Sequence, residues 1–508
     1  MKKCKTWLMM AVMACAVMIA SVVPAFAQDD GGSLLDEIKE RGVLVVGTSP
    51  DFPPSEFIDP SKTGQDQYVG SDMELARYIA DKLGVELEIE ASSFDTVLAN
   101  ISTGQIDLAI TGLAYTPARA ESMEMSIGYN VDEESESSGH GVLIRAEDAE
   151  TYSSFEALDG AKIAAQTGSL QEMFTQDQLP DCEIQSISSI DDGVALLKNG
   201  TVDGVATAWT TGNQYVTNNP ELVMMEQKFD NTEEYAGTRV GAPKGETELI
   251  EAVNEILEEV NESGIYEQWS QEAIELNNSL TSVDSSGGFF STCVQIVQEY
   301  WGLLLQGLLI TLGLAAVTVL FGTLIGSIVA FLYLLKNPVT HFICTAYVEV
   351  LRGTPLLLQL WLFITVFSTL TGGEMPMLVS VIIALIINSS AYVAEIIRSG
   401  LQSVDKGQTE AAKSLGMSNK NTMLKIIMPQ AVKNILPALG NEFISMVKET
   451  SLASTFFIGE LMTVNSVIKS AIYKSIEPLV IVGIIYFIVT FTLSKFVKYI
   501  ERRMSVSD

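Results

Sequence analysis

The sequence predicts an exported two-lobed α/β domain followed by an all-α membrane domain of five transmembrane helices. Three observations carry this expectation. The 508 residues divide sharply in charge, residues 29 to 290 holding 51 Asp+Glu against 12 Lys+Arg and residues 291 to 508 holding 12 against 15. From Val43 to about Ile274, short β-rich runs alternate with amphipathic helical stretches, the pattern of a mainly parallel sheet with helices on its faces. Further on, apolar segments recur at about the 20-residue length that crosses a hydrocarbon core. A chain of this length exceeds a single core. The acidic half repels phosphate, which makes nucleic acid an unsuitable partner.

In chain order, Lys2, Lys3 and Lys5 precede an apolar run from Trp7 to Val23 and then Ala25-Phe26-Ala27, so residues 1-27 read as a signal peptide cleaved after Ala27, with a retained signal anchor as the alternative. The exported part contains one cysteine, Cys182, so no disulfide framework is expected. His140 and His341 lie about 200 residues apart, and a histidine-based zinc site is not expected, nor any other metal or cofactor in this chain.

VLVVGTS, MELARYIADKLG, VELEIEA and FDTVLANISTG form a first β/α series, and KIAAQTGS, EIQSIS and DGVATA belong to a second, so two similar lobes with a cleft between them are expected. VDEESES (131 to 137) reads as a solvated insertion at the crossover. Residues 278–294 have linker composition, and the stretch from 277 to 291 would span roughly 20 Å if flexible, giving a leashed soluble domain. Apolar segments near 301 to 335, 355 to 371, 375 to 397, 438 to 458 and 478 to 497 supply the five expected spans. The stretch from Arg398 to Lys433 carries six Lys+Arg, which places it on the cytoplasmic side and the soluble domain outside.

That cytoplasmic stretch contains Glu410-Ala411-Ala412, three residues, Gly416, nine residues, Ile426 and then Met428-Pro429. Asp405 to Leu415 is helix-compatible, Gly416 suits a C-terminal cap, and Ser418 caps a second helix running to a break at Pro429. Ala411 and Ala412 leave one face nearly flat for another backbone to approach. Charged groups inside spans are functional candidates by default. Glu349 and Arg352 are spaced to pair, while Lys448 and Glu449 lie in the fourth span.

The spacing from Glu410 to Pro429, with VEVLRGTPLLLQL, NSSAYVAEIIRSGLQSVDKGQTEAAKSLG and LGNEFISMVKETSLAS around it, resembles the ABC importer permeases of the polar amino acid uptake branch, over residues 295–503. Met428 departs from their usual leucine. The resemblance implies a cytoplasmic coupling loop at 405–430, in which Glu410, Ala411, Ala412 and Gly416 dock in a groove of a separate ATPase subunit. It further implies a pair of permease units, here a homodimer, in the cell membrane. The chain carries no G-x-x-x-x-G-K-[ST] phosphate loop, so ATP would be used by the partner and this chain is not expected to be an enzyme.

Residues 34–277 resemble the type II periplasmic binding proteins for polar amino acids through GTSPDFPPSEF, YVGSDMELARYIADKLG, TGLAYTPARAESM and VGAPKG. Lobe one would be 34–128 plus 238–277, and lobe two 129–237, closing over ligand by a hinge. Thr116 with Pro117 opens a short helix, leaving the amides of Gly112 to Ala114 toward the cleft and Arg119 close by to hold a ligand carboxylate with two parallel donors. The resemblance places Phe52 and Phe94 as rings around the ligand side chain. Gln166, Gly168 and Ser169 open a helix whose amides face an anion, and Thr207 joins the ligand-binding set. Ala208 and Ser49 stand where the family often has acids for the ligand ammonium, so either another acid serves or the ligand is not an ordinary α-amino acid. The expected function is capture of an extracellular or periplasmic polar amino acid and its delivery to the fused permease. A ligand-gated receptor or channel, an exported dehydratase-like enzyme and an importer of another organic anion are the alternatives.

Overall fold

The structure is a computed structural model that describes residues 33–62, 64–130, 139–231, 235, 237–280, 288–333, 335, 337–371 and 375–505. The expected signal peptide, the 131 to 137 insertion and the middle of the expected linker (281–287) lie outside the described residues.

Two five-stranded sheets organise the soluble half. The first runs Glu86–Ala91, Val43–Thr48, Leu108–Ala109, Gly241–Pro243 and Met123–Met125 in spatial order, its first three strands parallel and Gly241–Pro243 antiparallel to both neighbours. The second runs Leu222–Lys228, His140–Arg145, Gly204–Ala208, Lys162–Gln166 and Glu183–Ile187. Parallel pairing needs a crossover, and helices such as Ser71–Leu83 and Ile190–Lys198 supply it while burying Leu75, Ile79, Val194 and Leu197. The chain leaves the first sheet after Met125 and returns at Thr238. There Tyr129 and Thr238 exchange backbone hydrogen bonds of 2.8 and 2.9 Å, so the two crossings lie side by side as a hinge.

Beyond the second sheet, Thr247–Ser263 covers the first lobe with Leu249, Val253, Leu257 and Val260. Helix then occupies both ends of the expected linker, because Ile265–Leu280 extends to its start and Phe289–Tyr333 begins well inside it.

In the membrane half, three helices among the described residues are long and apolar enough to cross a bilayer: Phe289–Tyr333, Met377–Gln402 and Ile476–Met504. Two further crossings would have to come from bent pairs, Pro338–Gly353 with Leu356–Thr371 at 115° and Asn419–Phe456 with Leu461–Ile472 at 47°. Of the five expected spans, the 355 to 371 and 438 to 458 segments belong to bent pairs, and five is reached if each pair is one span. Trp301, Leu309, Leu320, Ile328 and Phe487 point outward, as lipid-facing side chains do.

Phe289–Tyr333 and Met377–Gln402 pack backbone to backbone. A Cβ on Gly326 would fall 2.7 Å from the Ser390 carbonyl oxygen and 2.9 Å from the Ala394 nitrogen, distances that only a hydrogen allows. Small residues at such crossings replace the hydrophobic drive that lipid removes. Gly326→Val is expected to cost about 1–3 kcal/mol through overpacking. The check is a lower unfolding temperature and lower monodisperse yield of purified full-length protein, with Gly313→Val, at a glycine whose surroundings are open, behaving as wild type.

Candidate functional site

A cavity of about 730 Å³ opens between the lobes, lined from the first by Asp51, Phe52, Glu56, Phe94, Gly112, Ala114 and Arg119 and from the second by His140, Gln166, Ser169, Thr207, Ala208 and Tyr215. Arg119 is its strongest feature. Thr116 caps the short helix Pro117–Ser122 by accepting from the Arg119 amide, which fixes where the arginine starts. The side chain is 6% exposed and its guanidinium lies 5.3 Å from the centre of the Phe94 ring. Nη1 donates to the Ala114 carbonyl at 2.5 Å, Nη2 donates across the cleft to the Gly168 carbonyl at 2.6 Å, and Nε has no partner. Burial pushes the guanidinium down to about 10, still a cation at neutral pH. A buried cation whose hydrogen-bond acceptors are two carbonyls, with one N–H unsatisfied, is suited to an anionic ligand group.

Other expected donors are already occupied. The Gly112 amide donates to Asp72 Oδ2 at 2.8 Å, and the Gly168 amide donates to Glu172 Oε2 at 2.7 Å. Gly168 also lies off the cavity wall, so its contribution is the carbonyl that holds Arg119. Thr167 and Ser169 amides bond to Ile187 and Gln166 carbonyls at 2.9 and 3.0 Å. In the second lobe the Thr167, Gly168 and Ser169 amides are taken up within the turn, while Leu170 and Gln171, which open the helix, lie on the cavity wall. Phe52 packs against Gly112, where an added Cβ would sit 3.4 Å from the ring. His140 accepts from Gln171 Nε2 in the arrangement where Nδ1 is unprotonated, at 2.9 Å, and burial pushes it down to about 4, so it is neutral.

Sequence reasoning missed the acids. Asp51 keeps some solvent contact inside the cleft, but the dense surroundings push its carboxyl up to about 7, opposed by a 2.7 Å hydrogen bond from Ser49 Oγ. Glu56 is 1% exposed; Thr111 Oγ1 donates to its Oε1 at 3.0 Å, and Oε2 has no partner. Asp72 accepts from Gly112, from Tyr129 at 3.0 Å and from Tyr266 at 2.6 Å. Burial raises both carboxyls, and with three donors favouring the Asp72 anion the proton resides on Glu56. Asp51 stands in the quoted stretch GTSPDFPPSEF, beside Phe52, and adjacency to a ring position was the available signal.

The membrane half also reaches this cavity. Leu461–Ile472 ends against the soluble half, and Ser470 and Tyr473 form part of the cavity wall. Asn219 Nδ2 donates to the Tyr473 carbonyl at 2.8 Å, Asn277 Nδ2 to its hydroxyl at 3.1 Å, and Ser475 Oγ to the Asp191 carbonyl at 2.9 Å. Tyr473 packs edge-on against Tyr215 with ring centres 5.2 Å apart. The soluble half is thus seated on the membrane half, with contacts from both lobes.

On the opposite side of the membrane half, Lys406–Ser414 is capped by the Asp405 carboxylate and ended by Gly416 at φ +79°. Ser418 caps Asn419–Thr422, but no break follows at Pro429: a five-residue π-turn, Met423–Ile427, leads directly into Met428–Glu449 with Pro429 in its first turn. Of the two alanines, Ala411 faces out while Ala412 is 4% exposed and packs inward; Leu415, 83% exposed, offers the apolar surface instead. Glu410 and Gly416 are exposed. Arg352 reaches Glu395 at 4.0 Å, where Arg398 also pairs, so its counter-ion is Glu395 rather than the expected Glu349.

Residues 322–506 match the family of binding-protein-dependent transport system inner membrane components, and residues 44–274 match the bacterial extracellular solute-binding proteins, family 3. The arginine transport system permease protein ArtQ of Bacillus subtilis is 36% identical over 205 residues, 40% of this chain and 94% of that protein. The nopaline transport system permease protein NocM of Agrobacterium fabrum is 37% identical over 217 residues, 41% of this chain and 90% of that protein. An amino acid substrate-binding protein of Streptococcus pneumoniae, solved with L-arginine, shares 32% identity over 48% of this chain and 98% of its own, with a TM-score of 0.43.

Arg119→Lys is expected to weaken binding of a carboxylate ligand by at least tenfold, because one ammonium replaces a planar set of donors. Arg119→Ala should weaken it by a further factor. Isothermal titration of the full-length chain checks both.

Proposed function

Because this chain belongs to the binding-protein-dependent transport system inner membrane components and carries a family 3 solute-binding domain, we propose that Arg119 holds an amino acid's carboxylate and Asp51 its ammonium, before passage through the same chain. The chain is the fused solute-binding and permease subunit of an amino acid ABC importer, a membrane transporter and not an enzyme. One observation supports the handover most directly: Ser470 and Tyr473 of the membrane half line the chamber that contains Arg119 and Asp51.

Asp51 suits the ammonium better than Glu56 does. It has one donor, Ser49, and remains open to the cleft, whereas Glu56 is sealed beside Asp72 and carries the proton. It thereby answers the question left by Ala208 and Ser49, since an acid two residues after Ser49 serves in their place. Phe52 and Phe94 flank the side chain, and Gln166, Ser169 and Thr207 close the second wall.

Energy enters through the 405–430 loop. A separate cytoplasmic ATPase receives Ala411 and Leu415 in its groove, and two copies of the chain form the translocation path. The soluble domain faces the outside, so its effective concentration at the membrane half is high without tight docking.

Binding to Asp51 requires the ionised carboxylate, whereas the empty cleft holds it protonated below about 7. Ligand binding therefore releases a proton, and affinity falls with falling pH by up to tenfold per unit below that value while levelling off above it. Asp51→Asn is expected to flatten this profile and lower affinity at pH 8; an unchanged profile in isothermal titration would refute the assignment. For the loop, Ala411→Cys and Leu415→Cys are expected to crosslink to the ATPase in a transport-competent preparation, and Ala412→Cys is not. Uptake in sealed vesicles should need that ATPase.

A further inference from the structure

Leu461–Ile472 of the membrane half ends at Tyr473, whose φ of +53° is a left-handed cap that a residue with a large side chain rarely adopts. Tyr473 is 2% exposed and joins the apolar cluster of lobe two, beside Tyr215, Leu222 and Met224. Its ring meets Tyr215 with centres 5.2 Å apart, and its carbonyl accepts from Asn219 Nδ2 at 2.8 Å. Its hydroxyl reaches the other lobe, accepting from Asn277 Nδ2 at 3.1 Å. Asn277 belongs to lobe one, since its helix Ile265–Leu280 packs Ala273 and Leu276 on Phe57 and Val69.

One side chain of the membrane half therefore holds both lobes. Lys469, Ser470 and Ser475, by contrast, donate to Asp192 Oδ1, Asp191 Oδ2 and the Asp191 carbonyl at 2.9, 3.1 and 2.9 Å, all on lobe two. The lobes are drawn together in this state, as the bond from Arg119 Nη2 across the cleft to the Gly168 carbonyl shows. If lobe one swings away about the Tyr129–Thr238 crossing, bonds to a docked lobe two are kept and do not distinguish an open cleft from a closed one. The Tyr473–Asn277 bond does distinguish them, because it is made only at one spacing of Tyr215 and Asn277. Lobe one has a second hold of the same kind, the Ser93 amide on the Thr455 carbonyl at 3.1 Å.

We infer that Tyr473 is a clasp that senses lobe closure: with lobe two docked, its hydroxyl on Asn277 favours the closed cleft over the open one. This inference rests on the reading of the cleft as the amino acid site. Docking and ligand binding then strengthen one another by the same factor, because both draw on the closed state. Asn277 lies off the cavity wall, so its effect on ligand affinity passes through closure and not through contact with the ligand. Tyr473 is in this sense a positioning residue, supplied to the receptor by the membrane half of the same chain.

The test uses the full-length chain in lipid nanodiscs, with the proteinogenic L-amino acids as probes in a thermal-shift screen and isothermal titration of those that stabilise it. Tyr473→Phe and Asn277→Ala remove the same hydrogen bond; each is expected to weaken binding about fivefold, and the double variant no more than either alone. Tyr473→Gly, which deletes the ring while easing the left-handed turn, should weaken it about tenfold or more. Ser475→Ala removes a bond to lobe two that open and closed clefts keep alike and should change affinity by less than about twofold. If Tyr473→Phe and Asn277→Ala both leave affinity unchanged, if their effects add, or if Ser475→Ala weakens binding as much as they do, Tyr473 only fastens the soluble half and the inference is overturned. Stabilisation by none of the amino acids would instead overturn the reading of the cleft on which the inference stands.

Discussion

The buried guanidinium of Arg119 is the constraint around which the soluble half is arranged. A permanent cation removed from water must be answered, and here two carbonyl oxygens answer it, one from each lobe. Neither carries a full charge, and Nε is left with nothing. The result is a site whose electrostatic demand is only partly met by the protein, which suits it to an anion. The same hydrogen bond that crosses to Gly168 ties lobe closure to the state of that cation. On the proposed reading of Arg119, closure and anion binding share one group.

Negative charge in the cleft follows a complementary logic. Asp72 is stabilised as an anion by an amide and two tyrosine hydroxyls, and its charge in turn keeps Glu56 protonated. Those two carboxyls are a structural unit that braces Gly112 and the helix Ile265–Leu280 against the first sheet. Asp51 is outside that unit and lines the chamber between the lobes.

In the membrane half, attraction between helices cannot come from exclusion of water, because lipid is as apolar as the side chains. Close backbone approach does the work, as Gly322 and Gly326 against Ser389, Ser390 and Ala394 show. A tightly packed pair is stiff, and the coupling proposed for the Lys406–Ser414 helix would use that stiffness. The π-turn at Met423–Ile427 joins that helix pair without a break to Met428–Glu449, which leads to Thr450–Phe456 and then to Leu461–Ile472 beneath the receptor. One continuous stretch of chain thus links the cytoplasmic loop to the docking end.

Local features were legible from the residues themselves. The Thr116 cap with Pro117, the Ser169 and Ser418 caps, and the αL glycine at Gly416 depend on neighbours within a few positions, and the acidic-to-apolar change along the chain is composition alone. Spans were harder, because a hydropathy window measures apolar length and is blind to the 115° bend between Pro338–Gly353 and Leu356–Thr371. The free amides expected at Gly112 and Gly168 were present as donors, but their occupancy was decided by Asp72, forty residues before Gly112, and by the rotamer of Glu172. What the chain determined by itself was therefore the division into an exported α/β half and a helical membrane half, with the ends of many helices, since both follow from composition and short-range sterics. Only the tertiary structure decided which charges meet: Lys469 pairs with Asp192 at 2.9 Å across 277 residues of chain, and Coulomb interaction depends on distance in space, which no spacing along the chain records.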